Sequence, residues 1–233
     1  MPSFLNEWGR SMLTHTTIEQ RGRGIARVSG IRSVATVIEM MGAPMNFARN
    51  SEIYGEGEPA DYLYQVLRGT VRTSKILADG RRQIGSFYLA GDIFGLEVDD
   101  EHTFSAEAIT DSRVLVIKRS ALIALAASDS EVARQLWTLT GRELARVQDH
   151  ILLLVKTAQE RVAGFLLEMA ARAPAGDTIE LPMPRQDIAD YLGLTIETVS
   201  RTLTMLENDG AIALPTSRRV TLRKRAVLGR LNG

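Results

Sequence analysis

Apolar positions along this chain follow three rhythms. From Tyr54 to Lys118 they come in short runs broken by Gly55, Gly57, Gly69, Gly80, Gly85, Gly91 and Gly95, the texture of an antiparallel β domain. The strand candidates are YLYQVL from Tyr62, TVRTSKIL from Thr70, RQIGSFYL from Arg82 and RVLVIK from Arg113. Asp79-Gly80, between two of them, signals a hairpin because both residues tolerate positive φ. Ser120 to Ala127 reads as a short helix, and from Ser130 toward Lys156 the rhythm becomes helical over a long stretch. There Trp137, Thr140, Leu144, Val147, Ile151, Leu154 and Ala158 alternate three- and four-residue steps, the seam of a helix that pairs with a second copy of itself. Ile151 to Val155 is apolar around most of the helix and predicts cover on more than one side. A further helix is expected over Ala158 to Ala171, with the domain junction near Lys156 to Ala158 and a turn over Ala173 to Asp177.

The third rhythm is RQDIADYLGLTIETVSRTLTMLENDG, Arg185 to Gly210. Pro184 is a good first helical position, Ile188, Ala189 and Leu192 form an apolar stripe, and Gly193 permits a tight turn. Thr195 is placed to cap a second helix in which Val199, Leu203 and Leu206 are core. Glu197, Ser200, Arg201 and Thr204 fall on the opposite face, where a helix entering a major groove presents donors and acceptors. Ala211 to Leu222 predicts two short strands around a Pro-Thr-Ser turn, a wing beside the helices. From Gly210 onward Arg218, Arg219, Arg223, Lys224, Arg225 and Arg230 are unaccompanied by Asp or Glu, a basic tail suited to phosphates.

Composition sharpens this picture at a few points. With 45% apolar and 24% charged residues in 233, the chain has the makings of two modest cores, not of a disordered polymer. Its formal net charge is zero, so any nucleic-acid affinity must come from local positive charge. It contains no cysteine, which removes disulfides, thiolate-held metal clusters and thiol switches. Neither an export signal nor a membrane span is recognisable, so the reading is a soluble, cytoplasmic protein without a membrane partner. An enzyme is disfavoured: there are three widely separated His, no phosphate-binding G-x-x-x-x-G-K and no nucleophile motif. Asp99-Asp100-Glu101 reads as a solvated loop.

ETVSR (Glu197 to Arg201), placed behind a glycine-rich β region and a long helix, resembles the CRP/FNR superfamily of transcription regulators. GEPADYLYQVLRGTV (Gly57 to Val71) and GDIFG (Gly91 to Gly95) match its cyclic-nucleotide-binding-like roll, and the resemblance covers about residues 38 to 228. The stretch EMMGAPMNFARNSEIYGEGEPADYLYQVLRGTVRTSKILADGRRQIG is most similar to the FixK-type regulators, which act in low-oxygen and nitrogen-fixation gene control. The implied fold is α+β: an extension over 1–37, an antiparallel β-roll over 38–128, a dimerisation helix over 129–157 and a winged helix-turn-helix over 158–233. The implied partners are double-stranded DNA, a second copy of the chain and RNA polymerase.

The resemblance also allows the roll to be tested for ligands. Members that hold cyclic AMP place a Glu after the last glycine of GDxxG and an Arg-Ser or Arg-Thr pair about nine residues on. Here Leu96 follows Gly95 and Phe104 precedes Ser105, and a phenyl ring cannot pair with a cyclic phosphate. Oxygen-sensing relatives use a Cys cluster, absent here. Haem-binding relatives use a His; His102 and His150 fall in loosely comparable regions and His15 in the extension, but a lone His is more often a satisfied structural residue. No cofactor or metal is expected, and control by abundance is the simplest regulation.

Ile196, Glu197, Ser200 and Arg201 together resemble the subgroup that reads TTGAT-like half-sites. Arg201 can pair with a guanine edge, Glu197 can accept from a cytosine amino group, and Ile196 with Ser200 can touch thymine methyls. Arg185, Gln186, Thr195, Thr198, Arg218 and Arg219 are the phosphate candidates. Two alternatives remain open: a regulator gated by an unrecognised effector in the roll, and a scaffold module that does not touch DNA.

Overall fold

The computed structural model describes residues 34–173 and 176–232. Most of the extension, His15 included, lies outside the described residues. A helix, α1 (Val34–Met41), crosses the boundary read at residue 37, and its Val37 and Ile38 are buried with Leu63, Leu115 and Ile117.

Eight strands follow: β1 (Ala43–Phe47), β2 (Glu52–Tyr54), β3 (Tyr62–Arg68), β4 (Val71–Ile76), β5 (Arg82–Tyr88), β6 (Ile93–Phe94), β7 (Ser105–Ala108) and β8 (Ser112–Lys118). They form two antiparallel four-stranded sheets, ordered β1-β8-β3-β6 and β2-β7-β4-β5. Their inner faces enclose Tyr54, Tyr64, Val66, Val71, Phe94 and Val114. The Asp79-Gly80 hairpin joins β4 to β5, closed by the Leu77 amide donating to the Arg81 carbonyl at 2.8 Å. Pairing passes from Thr73–Ser86 to Ser74–Ile84, so Gly85 is an extra residue, a bulge. A Cβ on Gly85 would stand 2.9 Å from the Phe104 ring, so only glycine admits that ring against the strand.

Two helices leave the roll, α2 (Arg119–Ser128) and α3 (Ser130–Leu154). Asp129 caps α3 by accepting from the amides of Glu131 and Val132. The long helix stops at Leu154 because Thr157 caps the next one, α4 (Ala158–Arg172), in a reciprocal capping box with Glu160. Arg161 donates to the Lys156 carbonyl at 2.8 Å, satisfying an acceptor at the break. Of the seam residues read from the heptad steps, Ala158 alone lies off the long helix. Ala158 belongs to α4, and Leu154 is half-buried, its Cδ2 3.7 Å from where a Cβ on Gly193 would stand. Trp137, Leu144, Val147 and Ile151 are exposed as one stripe, which Val155, 80% exposed, extends past the helix end.

The remainder comprises β9 (Thr178–Glu180), α5 (Arg185–Leu192), α6 (Ile196–Asn208), β10 (Ile212–Thr216), β11 (Arg219–Leu222) and α7 (Arg225–Asn232). Three strands pair in the order β10-β11-β9, one more than the two expected for the wing. Its turn is Ser217-Arg218, not Pro-Thr-Ser. Pro215 and Thr216 lie in β10, where an irregular register between Ala213 and Thr216 accommodates a residue that has no amide to donate. Nor is the basic end a tail: α7 is a helix with Leu228 fully buried.

One apolar core runs from the roll into this half. Ile84, Phe87 and Ile109 pack in the same cluster as Phe165, Leu166, Leu203 and Leu206. The Phe87 ring lies 5.1 Å from that of Tyr191 and 6.3 Å from that of Phe165. Among the described residues no helix is long and apolar enough to cross a membrane.

Candidate nucleic-acid interface

The polar face expected between Ile196 and Thr204 is built by two helices and a three-residue turn. Pro184 is the N-cap of α5, one position before the helix, where its extended backbone (ψ 160°) leads the chain in. The helix buries Asp187, Ile188, Ala189, Tyr191 and Leu192, and ends at Gly193, whose φ of +61° and ψ of +39° favour glycine. Arg161 from α4 donates to the Leu192 carbonyl at 2.9 Å, placing a cation on the carbonyls of that helix end. Thr195 then caps α6, its hydroxyl oxygen accepting from the Thr198 amide at 3.2 Å.

Burial of Val199, Leu203 and Leu206, joined by Thr202, turns the opposite face of α6 outward. Glu197, Arg201 and Thr204 are exposed, Ile196 is 37% exposed and Ser200 is half-buried. These side chains share one helix face at the N-terminal half of α6. The Glu197 carboxyl is held below its usual range by its own backbone amide first and by the Thr195 hydroxyl second, so it is an ionised acceptor at neutral pH.

The phosphate candidates fall into three situations. Thr195 and Thr198 flank the start of α6, where amides and dipole favour an anion. Gln186 is exposed and donates to Asp190 at 2.7 Å, while Arg185 is half-buried, with Nη1 lacking a hydrogen-bond partner among the described residues. Arg218 sits in the wing turn, and Arg219 pairs with Glu180 at 2.6 Å. Both partners of that pair are at least half-exposed, so its net worth is about 0–1 kcal/mol and a phosphate can displace it. Sequence reasoning did not single out Asp187, although it falls one turn before Tyr191 on the buried stripe, where an acid requires a basic partner.

A cavity of about 410 Å³ opens between the roll and α3. Leu96, Phe104, Glu97 and Glu143 line it, and no Arg or Lys is among the described residues that do. The ring of Phe104 against Gly85 and the two carboxylates do not suit a cyclic phosphate. Two of the histidines pack against aromatic rings. His102 is buried and stacks on Tyr54 at 3.6 Å, and His150 stacks on Tyr191 at 3.9 Å with Nε2 2.8 Å from the Tyr191 carbonyl.

Burial, before any partner, pushes both imidazoles below their ordinary value. Below that value, about 6.5, the unfolded chain binds protons that the folded chain does not, so stability is full above it and declines as pH falls through it. The thermal midpoint is expected to drop between pH 7.5 and pH 5.5, and less so in His102→Gln. A midpoint that holds or rises over that interval would contradict the assignment.

Residues 160–231 match the model of the Crp-like helix-turn-helix domain, and residues 44–129 that of the cyclic nucleotide-binding domain. The chain is 51% identical over 219 residues to the nitrogen fixation regulation protein FixK of Azorhizobium caulinodans, covering 91% of this chain and 88% of that protein. It is 41% identical to the protein of the same name from Rhizobium meliloti, covering 89% and 91%. The solved structure of FixK2 from Bradyrhizobium japonicum superposes with a TM-score of 0.80 at 50% identity, covering 82% of this chain and 98% of that one. A β-roll, a long helix and a winged helix-turn-helix with an outward polar face, together with these likenesses, place the chain in the FixK group of the CRP/FNR family of DNA-binding transcription regulators.

Proposed function

We propose that the protein is a cytoplasmic regulator, chiefly an activator, that binds inverted TTGAT-like half-sites as a homodimer without cyclic nucleotide. Its targets are genes of nitrogen fixation, in keeping with the names of its relatives, and of low-oxygen metabolism, as the resemblance to FixK-type regulators implies. The observation that carries this reading is the outward face of α6, where Ile196, Glu197, Ser200 and Arg201 stand on a helix otherwise packed into the core. Arg201 donates to a guanine edge, Glu197 accepts from a cytosine amino group, and Ile196 and Ser200 contact thymine methyls. Arg185, Gln186, Thr195, Thr198, Arg218 and Arg219 reach phosphates, which set register without specifying sequence. RNA polymerase is the partner through which binding becomes transcription.

Dimerisation supplies the second half-site. Trp137, Leu144, Val147 and Ile151 are exposed along one line of α3, with the exposed Thr140 between the first two, and their heptad steps suit a second copy. Pairing along α3 places two copies of α6 about 34 Å apart, one turn of duplex. Ile151→Glu is expected to yield monomers by sedimentation, and affinity for the inverted repeat should fall about 10²- to 10⁴-fold as the second contact ceases to be intramolecular. Undiminished affinity in a monomeric variant would remove the two-half-site reading.

A further inference from the structure

The helix before the base-reading helix carries an acid that has no role in contacting DNA. Asp187 is 1% exposed and receives two guanidinium groups from the roll. Arg72 Nη1 binds its Oδ2, and Arg82 Nη2 donates to its Oδ1 at 2.6 Å. Arg82 Nε also donates to Asp190 at 2.8 Å, and Arg72 Nη2 to Glu107 at 2.8 Å. Beside them the Gln83 amide points to the Tyr191 carbonyl at 3.4 Å. One face of α5 is thereby tied to β4 and β5.

Burial sets this network apart from the surface ion pairs of the chain, and direction sets it apart from the apolar contact beneath it. The Arg72 side chain is only 10% exposed, so rotating α5 away from the roll would strand buried charges, a far larger penalty than parting two solvated ones. Guanidinium–carboxylate pairs are also directional, since the planar fork fixes angle as well as distance. The apolar contact below them, Phe87 against Tyr191, is non-directional and would permit sliding. Because Gly193, Leu194 and Thr195 alone separate α5 from α6, the orientation of one helix sets that of the other.

We infer that Arg72 and Arg82 of the β-roll are positioning residues for DNA recognition, setting the angle of α6 through Asp187 and Asp190. In a dimer this fixes the separation of the two recognition helices with no small molecule bound, which is the task an effector performs in a gated regulator. The inference rests on the reading of α3 as dimer seam and α6 as base-reading helix. It goes beyond that reading by assigning the roll a function in half-site spacing.

Arg82→Gln and Asp190→Asn test it, because they remove the outer pair and leave the Arg72–Asp187 pair in place. The first measurement needs no DNA. The chain has no cysteine, so Asn208→Cys, an exposed site at the end of α6, carries one spin label per protomer and reports the distance between recognition helices in the dimer. A narrow distribution in the parent is expected to broaden in both variants. The second measurement compares an inverted repeat of native spacing, repeats longer and shorter by one base pair, and a single half-site. Affinity for native spacing should fall about tenfold, a typical coupling between distant sites, with the spacing preference flattened and single-half-site affinity unchanged. The double variant should be no worse than Arg82→Gln alone, which already loses the bonds to both Asp187 and Asp190, and Arg82→Lys, which keeps charge without the fork, should recover part of the preference. An unchanged distance distribution or spacing preference overturns the inference, as does an equal loss on the single half-site. Loss of sequence selectivity in the parent, with a narrow distance distribution that broadens in the variants, would sink the base-reading assignment and leave the clamp standing.

Discussion

Asp187→Ala is expected to destabilise the folded chain by about 3–5 kcal/mol, the cost of breaking a buried ion pair by removing one partner. The acid is almost wholly buried, and its loss leaves Arg72 with Glu107 alone and Arg82 with Asp190 alone. The Arg72 guanidinium, 10% exposed, cannot recover its hydration without opening the contact between roll and α5. Asp187→Asn keeps an acceptor oxygen and should cost less, which separates charge from shape. Arg219→Ala, at an exposed pair, should stay within about 1 kcal/mol. Urea denaturation of the three variants at pH 7.5 measures these differences; a loss below about 1 kcal/mol for Asp187→Ala would mean that the network is solvated in the native state.

Arg201→Ala should change which duplexes are bound more than whether DNA is bound. An arginine paired in two directions with a guanine is worth about 1–3 kcal/mol of discrimination per contact, and an inverted repeat presents two such contacts. Affinity for the matched repeat should therefore fall by about tenfold or more, while affinity for random duplex, sustained by phosphate contacts, persists. Testing each base pair of the half-site in turn should show the lost preference confined to the guanine position. Equal losses on matched and random duplexes would reassign Arg201 to the phosphates. Arg218→Ala supplies the converse pattern, weakening both kinds of duplex alike and lowering the salt slope by about one unit.

The sequence made the scaffold of this site legible because its elements rest on strong, local signals. The four longest strands of the roll are runs rich in β-branched and aromatic residues, and α5 and α6 have clear apolar stripes on either side of Gly193. The other strands of the roll offer weaker signals: β6 and β2 have two and three residues, β7 is SAEA, and β1 contains Pro44 and shows no buried alternation. The heptad spacing runs one step past the end of the long helix because the interval from Leu154 to Ala158 also fits it. A second local signal, Thr157 with Glu160 three residues later, marks a new helix start and takes precedence. In the wing, Pro215 reads as a turn residue yet lies in a strand, tolerated by an irregular register. The clamp was not legible at all. A buried Asp187 announces a need for a cation, but Arg72 and Arg82 lie more than a hundred positions away, and only the packing of β5 against α5 brings them together.

The central claim, a regulator that reads DNA with no small molecule in its roll, is tested most directly by fluorescence anisotropy. The full chain, without added ligand, is titrated onto a duplex carrying two inverted TTGAT half-sites and onto a scrambled duplex, each with and without cyclic AMP. Tight binding to the first duplex alone, unchanged by cyclic AMP, is the predicted result. Binding that needs cyclic AMP, or that fails to distinguish the two duplexes, would contradict it.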